Sequence, residues 1–241
     1  MDILNQFKYI SNQVSETKAH QWQSFLQQNN FDFNLVKCID LTSETARIYD
    51  QSDNKFAIDF LEDRQNYQKK KSSMKKELIG RAMGSGRYGL KILDLSAGLG
   101  IDAVFLAQMG FEVTALERNP LIFSCLKEAS QNINHDLKLK FVFESAQKFL
   151  TTHGDHYDVI YFDPMFPDKK KSALPRQEMV FFRHLVGSDE DAEQTLQMAL
   201  QKSKAERIVV KRPVRAPFLL KKPMSQIVGK LIRFDIYGVH Q

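Results

Sequence analysis

Residue types that could bind a nucleoside occur at the ends of two predicted strands. In the segment 94–102, Ala97, Gly98 and Gly100 follow a short apolar run. Glycines let the backbone approach a ligand closely, and a helix that begins after them offers free N–H donors. Glu117 ends the next apolar run, where a carboxylate accepts both hydroxyls of an adenosine ribose. These two features predict a site for NAD or for S-adenosylmethionine.

The spacing of the small residues leaves both cofactors open. A dinucleotide-binding loop follows the pattern G-x-G-x-x-G, in which the third glycine packs the helix against the strand. Ala103 stands at that third position, and the looser form of the pattern allows alanine there. The choice between the two cofactors therefore depends on the rest of the chain.

A second segment whose residue types could carry chemistry is Asp163-Pro164-Met165-Phe166-Pro167, which follows the apolar run 159–162. The run predicts a buried strand that delivers Asp163 to the carboxyl edge of a sheet, where α/β proteins bind ligands. Two prolines stiffen the turn, and Phe166 lies beyond the end of the strand. This turn resembles the Asp/Asn-Pro-Pro-aromatic motif of amino-methyltransferases.

The resemblance to that motif implies a definite chemistry. An exocyclic amine is a poor nucleophile because its lone pair is delocalised into the ring. A carboxylate and a backbone carbonyl each accept one N–H, which favours a pyramidal nitrogen, while an aromatic ring stacks on the base. Transfer of a methyl group then depends on positioning for in-line attack, without a metal or a covalent intermediate. The predicted catalytic residues are Asp163, Pro164 and Phe166.

The elements that must position these residues alternate between strands and helices from residue 91 onward. Strands are predicted at 92–95, 112–116, 139–143, 157–162 and 207–211, and helices at 103–109, 120–132 and 191–202. Such alternation predicts βαβ units and a mostly parallel sheet. The apolar run 231–237 predicts one more strand, which we expect at an antiparallel edge.

The first part of the chain has a different pattern. It predicts an amphipathic helix at 15–28 and short strands at 35–41, 45–49 and 55–60. A further helix at 74–83 is expected to end at Gly84. We therefore predict an α/β protein with a small N-terminal α+β cap at 1–66 and a larger domain at 67–241.

Composition excludes several classes of protein. The 241 residues are 43% hydrophobic and 26% charged, which is typical of a globular chain. The two cysteines, Cys38 and Cys125, lie in no ligand-like spacing, so we expect neither a disulfide framework nor a metal site. The first residues lack the apolar core of a signal peptide, and no segment has the length of a membrane span. We expect a cytoplasmic protein without membrane attachment.

Basic residues cluster near the chemistry-bearing segments. Lys and Arg number 34 against 29 Asp and Glu, for a formal net charge of +5. Basic side chains beside a cleft suit a phosphate backbone, whose contacts supply affinity without sequence information. One group follows the Asp163 turn and another ends the predicted strand at 207–211. The predicted RNA-binding residues are Lys169, Lys170, Lys171, Arg176, Lys211 and Arg212.

Strings of residues that occur in one order between positions 60 and 240 point to a particular family. They are LSAGLG at 95–100, LERNP at 116–120, DPMFP at 163–167, KSAL at 171–174, LVG at 185–187, VVKRP at 209–213 and RFDIY at 233–237. Together they resemble the family of ribosomal RNA small subunit methyltransferase J. This resemblance implies a class I S-adenosylmethionine-dependent methyltransferase (Rossmann-like) fold. It also implies methylation of the N2 amine of a guanine in 16S rRNA, with the rRNA or the small ribosomal subunit as partner.

The resemblance also implies which residues contact S-adenosylmethionine. Ile101 stands where we expect an arginine, so a side-chain salt bridge is lost there while backbone contacts remain. Asp94 either orients the loop amides or meets the methionine amine of the cofactor, and the alternative is a purely structural role. Taken with the glycine segment, the predicted cofactor-binding residues are Asp94, Ala97, Gly98, Gly100, Ile101, Asp102, Glu117, Arg118, Ser145, Ala146 and Asp163.

Other functions share parts of these signals. The Asp-Pro-x-aromatic turn also serves amino-methyltransferases that act on adenine in nucleic acid or on a protein amide. A catalytically silent RNA-binding module would keep the same fold, and an NAD-dependent oxidoreductase would keep the glycine segment. The turn at Asp163 argues against the oxidoreductase, because hydride transfer needs no such turn.

Overall fold

The computed structural model describes residues 3–9, 13–60, 77–84, 87, 89–133, 136–165, 177–187 and 189–238. The elements in these ranges form two compact units. The first unit contains a four-stranded sheet and the second a seven-stranded sheet. The predicted boundary between residues 66 and 67 lies outside the described residues, so the division into 1–66 and 67–241 stays a prediction.

Strands and helices alternate along most of the described chain. Short 3-10 helices at Ile3–Gln6, Phe33–Leu35 and Gly154–His156 supplement the main elements. In chain order these are β1 (Phe7–Lys8), α1 (Gln13–Gln28), β2 (Cys38–Asp40), β3 (Arg47–Tyr49), β4 (Lys55–Ala57), α2 (Leu78–Met83), β5 (Lys91–Asp94), α3 (Ile101–Gln108), β6 (Glu112–Glu117), α4 (Pro120–Ser130), β7 (Leu139–Phe143), α5 (Ala146–His153), β8 (Val159–Phe162), α6 (Gln177–Val186), α7 (Ala192–Lys202), β9 (Arg207–Pro213), β10 (Ser225–Val228) and β11 (Ile232–Tyr237).

The first unit joins the small sheet to α1 and to two helices that come from later in the chain. Its strands lie in the order β1-β2-β3-β4, and α1, α4 and α6 belong to the same unit. The rings of Phe25 on α1 and Phe123 on α4 lie 5.9 Å apart between centroids. Phe56 on β4 stacks on Phe182 of α6 at 5.7 Å and meets Phe181 edge-on at 6.4 Å. Aromatic contacts of this kind add to the free energy of simple apolar burial.

The second unit is built on a sheet with the order β10-β11-β9-β8-β5-β6-β7. Strands β5 to β9 pair in parallel, and β11 runs antiparallel to both of its neighbours. Every residue of β8 is buried, as expected for a parallel strand covered on both faces. Strand β5 has β6 on one side and β8 on the other, so the crevice for a ligand opens at the carboxyl ends of these strands. The predicted α/β class is confirmed.

The prediction of an antiparallel strand at 231–237 is confirmed, but its predicted position at the edge of the sheet was wrong. Strand β11 is antiparallel, but it lies inside the sheet because β10 covers its outer side. Strand β10 is mostly exposed, so its sequence lacks the apolar alternation that predicts a strand. Helix α5 was also missed; Leu150 is its single buried residue.

A buried ion pair on β11 organises the loop after β9. The Arg233 guanidinium lies 2.9 and 3.0 Å from the two carboxylate oxygens of Asp235. It also donates to the carbonyls of Pro213, Val214 and Ala216 at 2.9, 2.6 and 2.8 Å. The side chains are 5% and 0% exposed, so each charge is compensated almost wholly by protein groups. The RFDIY string at 233–237 thus contains residues that stabilise the fold.

Among the described residues, no helix is long and apolar enough to cross a membrane.

Candidate functional site

The segment between β5 and α3 forms a tight loop at the carboxyl edge of the second unit's sheet. Gly98 and Gly100 have φ values of 53° and 74°, a left-handed conformation that glycine adopts without steric cost. The Ala97 N–H donates to the carbonyl of Leu116 at 2.8 Å, which ties the loop to β6. Gly100 is the N-cap of α3. The loop therefore presents bare backbone and the start of a helix to the crevice.

Glu117 joins this loop from the end of β6. Its side chain is buried, with 5% of the residue exposed, and its Oε2 accepts a hydrogen bond from the Gly98 N–H at 3.0 Å. The two parts of the predicted nucleoside site are thus adjacent in the structure. A buried carboxylate beside glycine amides is suited to accept hydroxyl donors, because little water competes for its oxygens.

Ser96 links the ends of β5 and β8. Its N–H donates to Asp94 Oδ1 at 3.0 Å, and its Oγ accepts from the Asp163 N–H at 2.9 Å. Ser96 is not among the predicted site residues, although it lies within the LSAGLG string. Its hydroxyl fixes the backbone at Asp163 relative to the glycine loop.

Asp94 is a buried carboxyl group at the centre of the site. It is 1% exposed, and no described cation lies within ion-pair distance of it. Burial raises the pKa of Asp94 to about 8, because desolvation disfavours the ionised form. A cationic ligand group placed against it would restore the charge.

Asp102, Tyr161, Asp163 and Lys211 form a cluster at the same edge, which we call the lysine cluster. Lys211 Nζ lies 2.7 Å from Asp102 Oδ2 and 2.9 Å from Asp163 Oδ2. The Tyr161 hydroxyl donates to Asp102 Oδ2 at 2.5 Å. The register of β8 and β9 brings these residues together, because Phe162 pairs with Val210, and Asp163 and Lys211 are the residues that follow this pair in the chain.

The lysine cluster sets the charge of its members. Burial raises the pKa of Asp163 to about 6, and the Lys211 ammonium keeps it from rising further. Burial alone would lower the pKa of Lys211, but Asp163 and Asp102 outweigh it and raise that pKa. Burial also raises the pKa of Tyr161 well above its usual value. At neutral pH the cluster therefore holds the Lys211 ammonium beside an ionised Asp163, with Tyr161 as a neutral phenol.

Arg118 lies directly after Glu117 and is held by two carboxylates. Its guanidinium donates to Asp189 Oδ1 at 2.6 Å and to Asp191 Oδ2 at 2.8 Å, while 41% of its side chain stays exposed. These pairs fix the segment before α7 next to the end of β6. The predicted contact between Arg118 and the cofactor stays a prediction.

The remaining predicted cofactor residues lie at helix starts. Ile101 opens α3 and is 37% exposed. Ser145 is the N-cap of α5 and accepts from the Lys148 N–H at 3.4 Å, and Ala146 is the first residue of that helix. Because β7 ends just before Ser145, both residues lie at the same edge of the sheet as the glycine loop.

The predicted RNA-binding residues fall into two groups. Lys169, Lys170, Lys171 and Arg176 lie outside the described residues, as does the predicted catalytic Phe166. Lys211 belongs to the lysine cluster. Arg212 is 4% exposed and donates to the Pro217 carbonyl at 2.6 Å, so its placement does not favour a phosphate contact. Pro164, the other predicted catalytic residue, is buried directly after Asp163.

Comparison with known proteins agrees with this geometry. A family model described as "Putative SAM-dependent methyltransferase" matches residues 19–239. Ribosomal RNA small subunit methyltransferase J of Bdellovibrio bacteriovorus is 41% identical over 233 residues, which cover 92% of this chain and 90% of the relative. The protein of that name from Pseudoalteromonas atlantica is 35% identical over 235 residues, with 88% and 90% covered. The crystal structure of a SAM-dependent methyltransferase from Neisseria gonorrhoeae superposes with a TM-score of 0.65 at 27% identity, covering 84% of this chain and 83% of that one.

The strand order, the glycine loop and the family model together define the class of this protein, an S-adenosylmethionine-dependent methyltransferase of the class I fold. The cofactor predicted from the sequence resemblance is therefore confirmed, and NAD is set aside. Within that class, the chain belongs to the ribosomal RNA small subunit methyltransferase J family.

Proposed function

We propose that this protein transfers a methyl group from S-adenosylmethionine to the exocyclic N2 amine of a guanine in 16S rRNA. The observation that carries the proposal is the placement of the Asp163 carboxylate at the carboxyl edge of the sheet, tied through Ser96 to the glycine loop. Relatives that match most of this chain bear names that specify small-subunit rRNA methylation. The sequence motif at Asp163 supports an amine as the acceptor.

The residues around the glycine loop fit S-adenosylmethionine. Glu117 would accept the ribose hydroxyls, and the backbone at Gly98 and Gly100 leaves room for the nucleoside to approach. Asp94, buried without a cation among the described residues, would take the ammonium of the methionine moiety. When bound there, S-adenosylmethionine supplies an electrophilic methyl group.

Asp163 would hold the guanine amine. Its side chain is 36% exposed, so a substrate nitrogen can reach it from the crevice. An ionised carboxylate accepts one N–H and a backbone carbonyl of the turn accepts the other, which directs the nitrogen lone pair toward the methyl group. Transfer leaves the nitrogen with one proton in excess, and the Asp163 carboxylate is placed to accept it.

The test is transfer of a tritiated methyl group to 16S rRNA that lacks its native modifications, followed by nucleoside mapping. We expect label in N2-methylguanosine with the wild-type protein, and loss of methylation with retained RNA affinity in Asp163→Ala. A matched control is Asp158→Ala, because Asp158 precedes the opposite end of the same strand and bonds the Lys91 N–H at 2.8 Å. Unchanged turnover in Asp163→Ala would remove Asp163 from the mechanism.

The same experiment separates the alternatives. Label in adenine, or transfer to a protein amide, would support those acceptors and contradict guanine. RNA binding without transfer to any substrate would support a silent binding module. Parallel reactions with naked 16S rRNA and with assembled small subunits identify which of the two is the partner.

A further inference from the structure

We propose that Lys211 is a positioning residue that holds one oxygen of the Asp163 carboxylate and leaves the other oxygen for the substrate amine. This inference rests on the proposed function. It assigns to Lys211 a role inside the reaction site, in place of the phosphate contact predicted from its position in a basic pair.

The geometry at Asp163 supports this division of the two oxygens. Lys211 Nζ lies 2.9 Å from Oδ2, and the Asp163 N–H donates to Ser96 Oγ at 2.9 Å. No described residue donates a hydrogen bond to Oδ1. The carboxylate is thus held at its backbone and at one oxygen, while the remaining oxygen has its accepting capacity available for an N–H from the crevice.

Lys211 is itself held in place. Asp102 Oδ2 lies 2.7 Å from its ammonium and also accepts the Tyr161 hydroxyl. The Lys211 side chain is 24% exposed, so much of it is shielded from water. To reach a phosphate, the ammonium would have to leave two carboxylates at once. An ammonium between two carboxylates is therefore more suited to orient Asp163 than to bind RNA.

The charges around Asp163 make Lys211 necessary for its ionised state. Carboxyl groups face it from β5, from α3 and from the segment before α7, and a phenol faces it from β8. These groups are Asp94, Asp102, Asp189 and Tyr161. Without the ammonium, burial and like charges would both favour the protonated acid. A protonated Asp163 would no longer accept the amine N–H as a carboxylate does.

The test is the pH profile of kcat/KM for methylation of unmodified 16S rRNA by Lys211→Met. We expect its acidic limb to move to higher pH by about one unit, which gives about a tenfold greater loss at low pH than at high pH. The KM for rRNA should change little. Lys211→Arg, which restores the cation, should return the limb toward the wild-type position. Lys91→Met is the matched control, because Lys91 is an exposed lysine at the opposite edge of the same sheet, and its profile should equal that of the wild type.

Two results would overturn the inference. One is a Lys211→Met profile whose acidic limb stays in place while the KM for rRNA rises, which indicates a phosphate contact. The other is an equal loss at every pH. Binding of S-adenosylhomocysteine establishes that the variant is folded, and Lys211→Gln replaces it if it is not. A wild-type protein that methylates no rRNA would instead refute the proposed function, so the two failures are distinguishable.

Discussion

Replacement of Glu117 by glutamine should weaken cofactor binding without unfolding the protein. Glu117 ends β6 and is 5% exposed, so water cannot readily take over the hydrogen bonds that its carboxylate makes with a ligand. Glutamine keeps an oxygen at nearly the same position. The hydrogen bond from the Gly98 N–H, 3.0 Å long in the wild type, should therefore persist and preserve the loop.

The expected size of the effect follows from the loss of charge. Hydrogen bonds to a charged acceptor contribute about 1.5–3 kcal/mol, roughly twice the contribution of neutral ones. Loss of that increment for a ribose hydroxyl pair corresponds to about a 10- to 100-fold weaker affinity, since 1.4 kcal/mol is about tenfold. The interaction exists before the methyl group moves, so the KM for S-adenosylmethionine should rise while kcat at saturation changes far less.

Calorimetric titration with S-adenosylhomocysteine measures this change, and thermal unfolding of the same samples reports on the fold. The matched control is Glu112→Gln, at the amino end of the same strand, where the side chain is 47% exposed and lies 3.9 Å from Lys138. That control should bind within about twofold of the wild type, because surface ion pairs contribute little. An affinity of Glu117→Gln within twofold of the wild type would refute a ribose contact at Glu117.

Three further substitutions test other parts of the structure. At pH 7, binding of S-adenosylhomocysteine should release fewer protons in Asp94→Asn than in the wild type, because a ligand ammonium would ionise an Asp94 carboxyl whose pKa is about 8. The affinity of the wild type for S-adenosylhomocysteine should accordingly rise as the pH approaches 8. Calorimetry in buffers of different ionisation enthalpy measures the number of protons released. Equal proton release in the two proteins would contradict a contact between Asp94 and the ligand ammonium. Gly100→Ala should lower the free energy of unfolding by about 1–2 kcal/mol because φ is 74°, and an unchanged urea midpoint would count against this. Arg233→Met should cost about 3–5 kcal/mol, since it leaves the buried Asp235 unpaired, whereas a double variant that also carries Asp235→Leu should recover part of the loss.

The glycine loop and its neighbours could be predicted because their signals are local. An apolar run followed by small residues specifies a strand, a turn and a helix start within a short stretch of chain. The strand β7 has the predicted bounds, and β5, β6 and β9 differ from prediction by a few residues at their ends. Glu117 could be placed because the carboxyl ends of parallel strands meet at one edge.

The role of Lys211 could not be predicted from local signals. Its sequence neighbourhood is a basic pair, which is typical of a solvated or phosphate-binding surface. Its partners Asp102 and Asp163 come from a different helix and a different strand, and they meet it only through the pairing of β8 with β9. Strand β10 was missed for a related reason. Its own residues show little apolar pattern, and it forms a strand because it pairs with the edge of β11.

Each of the two units is built from non-contiguous segments of the chain. This limits where the protein can be truncated. Phe25 and Phe56 of the early segment share aromatic contacts with Phe123 of α4 and Phe182 of α6, and both helices are encoded between strands of the large sheet. A truncation that deletes the early segment would uncover those rings and favour aggregation. A graft of that segment onto another methyltransferase would also have to include α4 and α6, so the early segment is a poor candidate for exchange as a separate module.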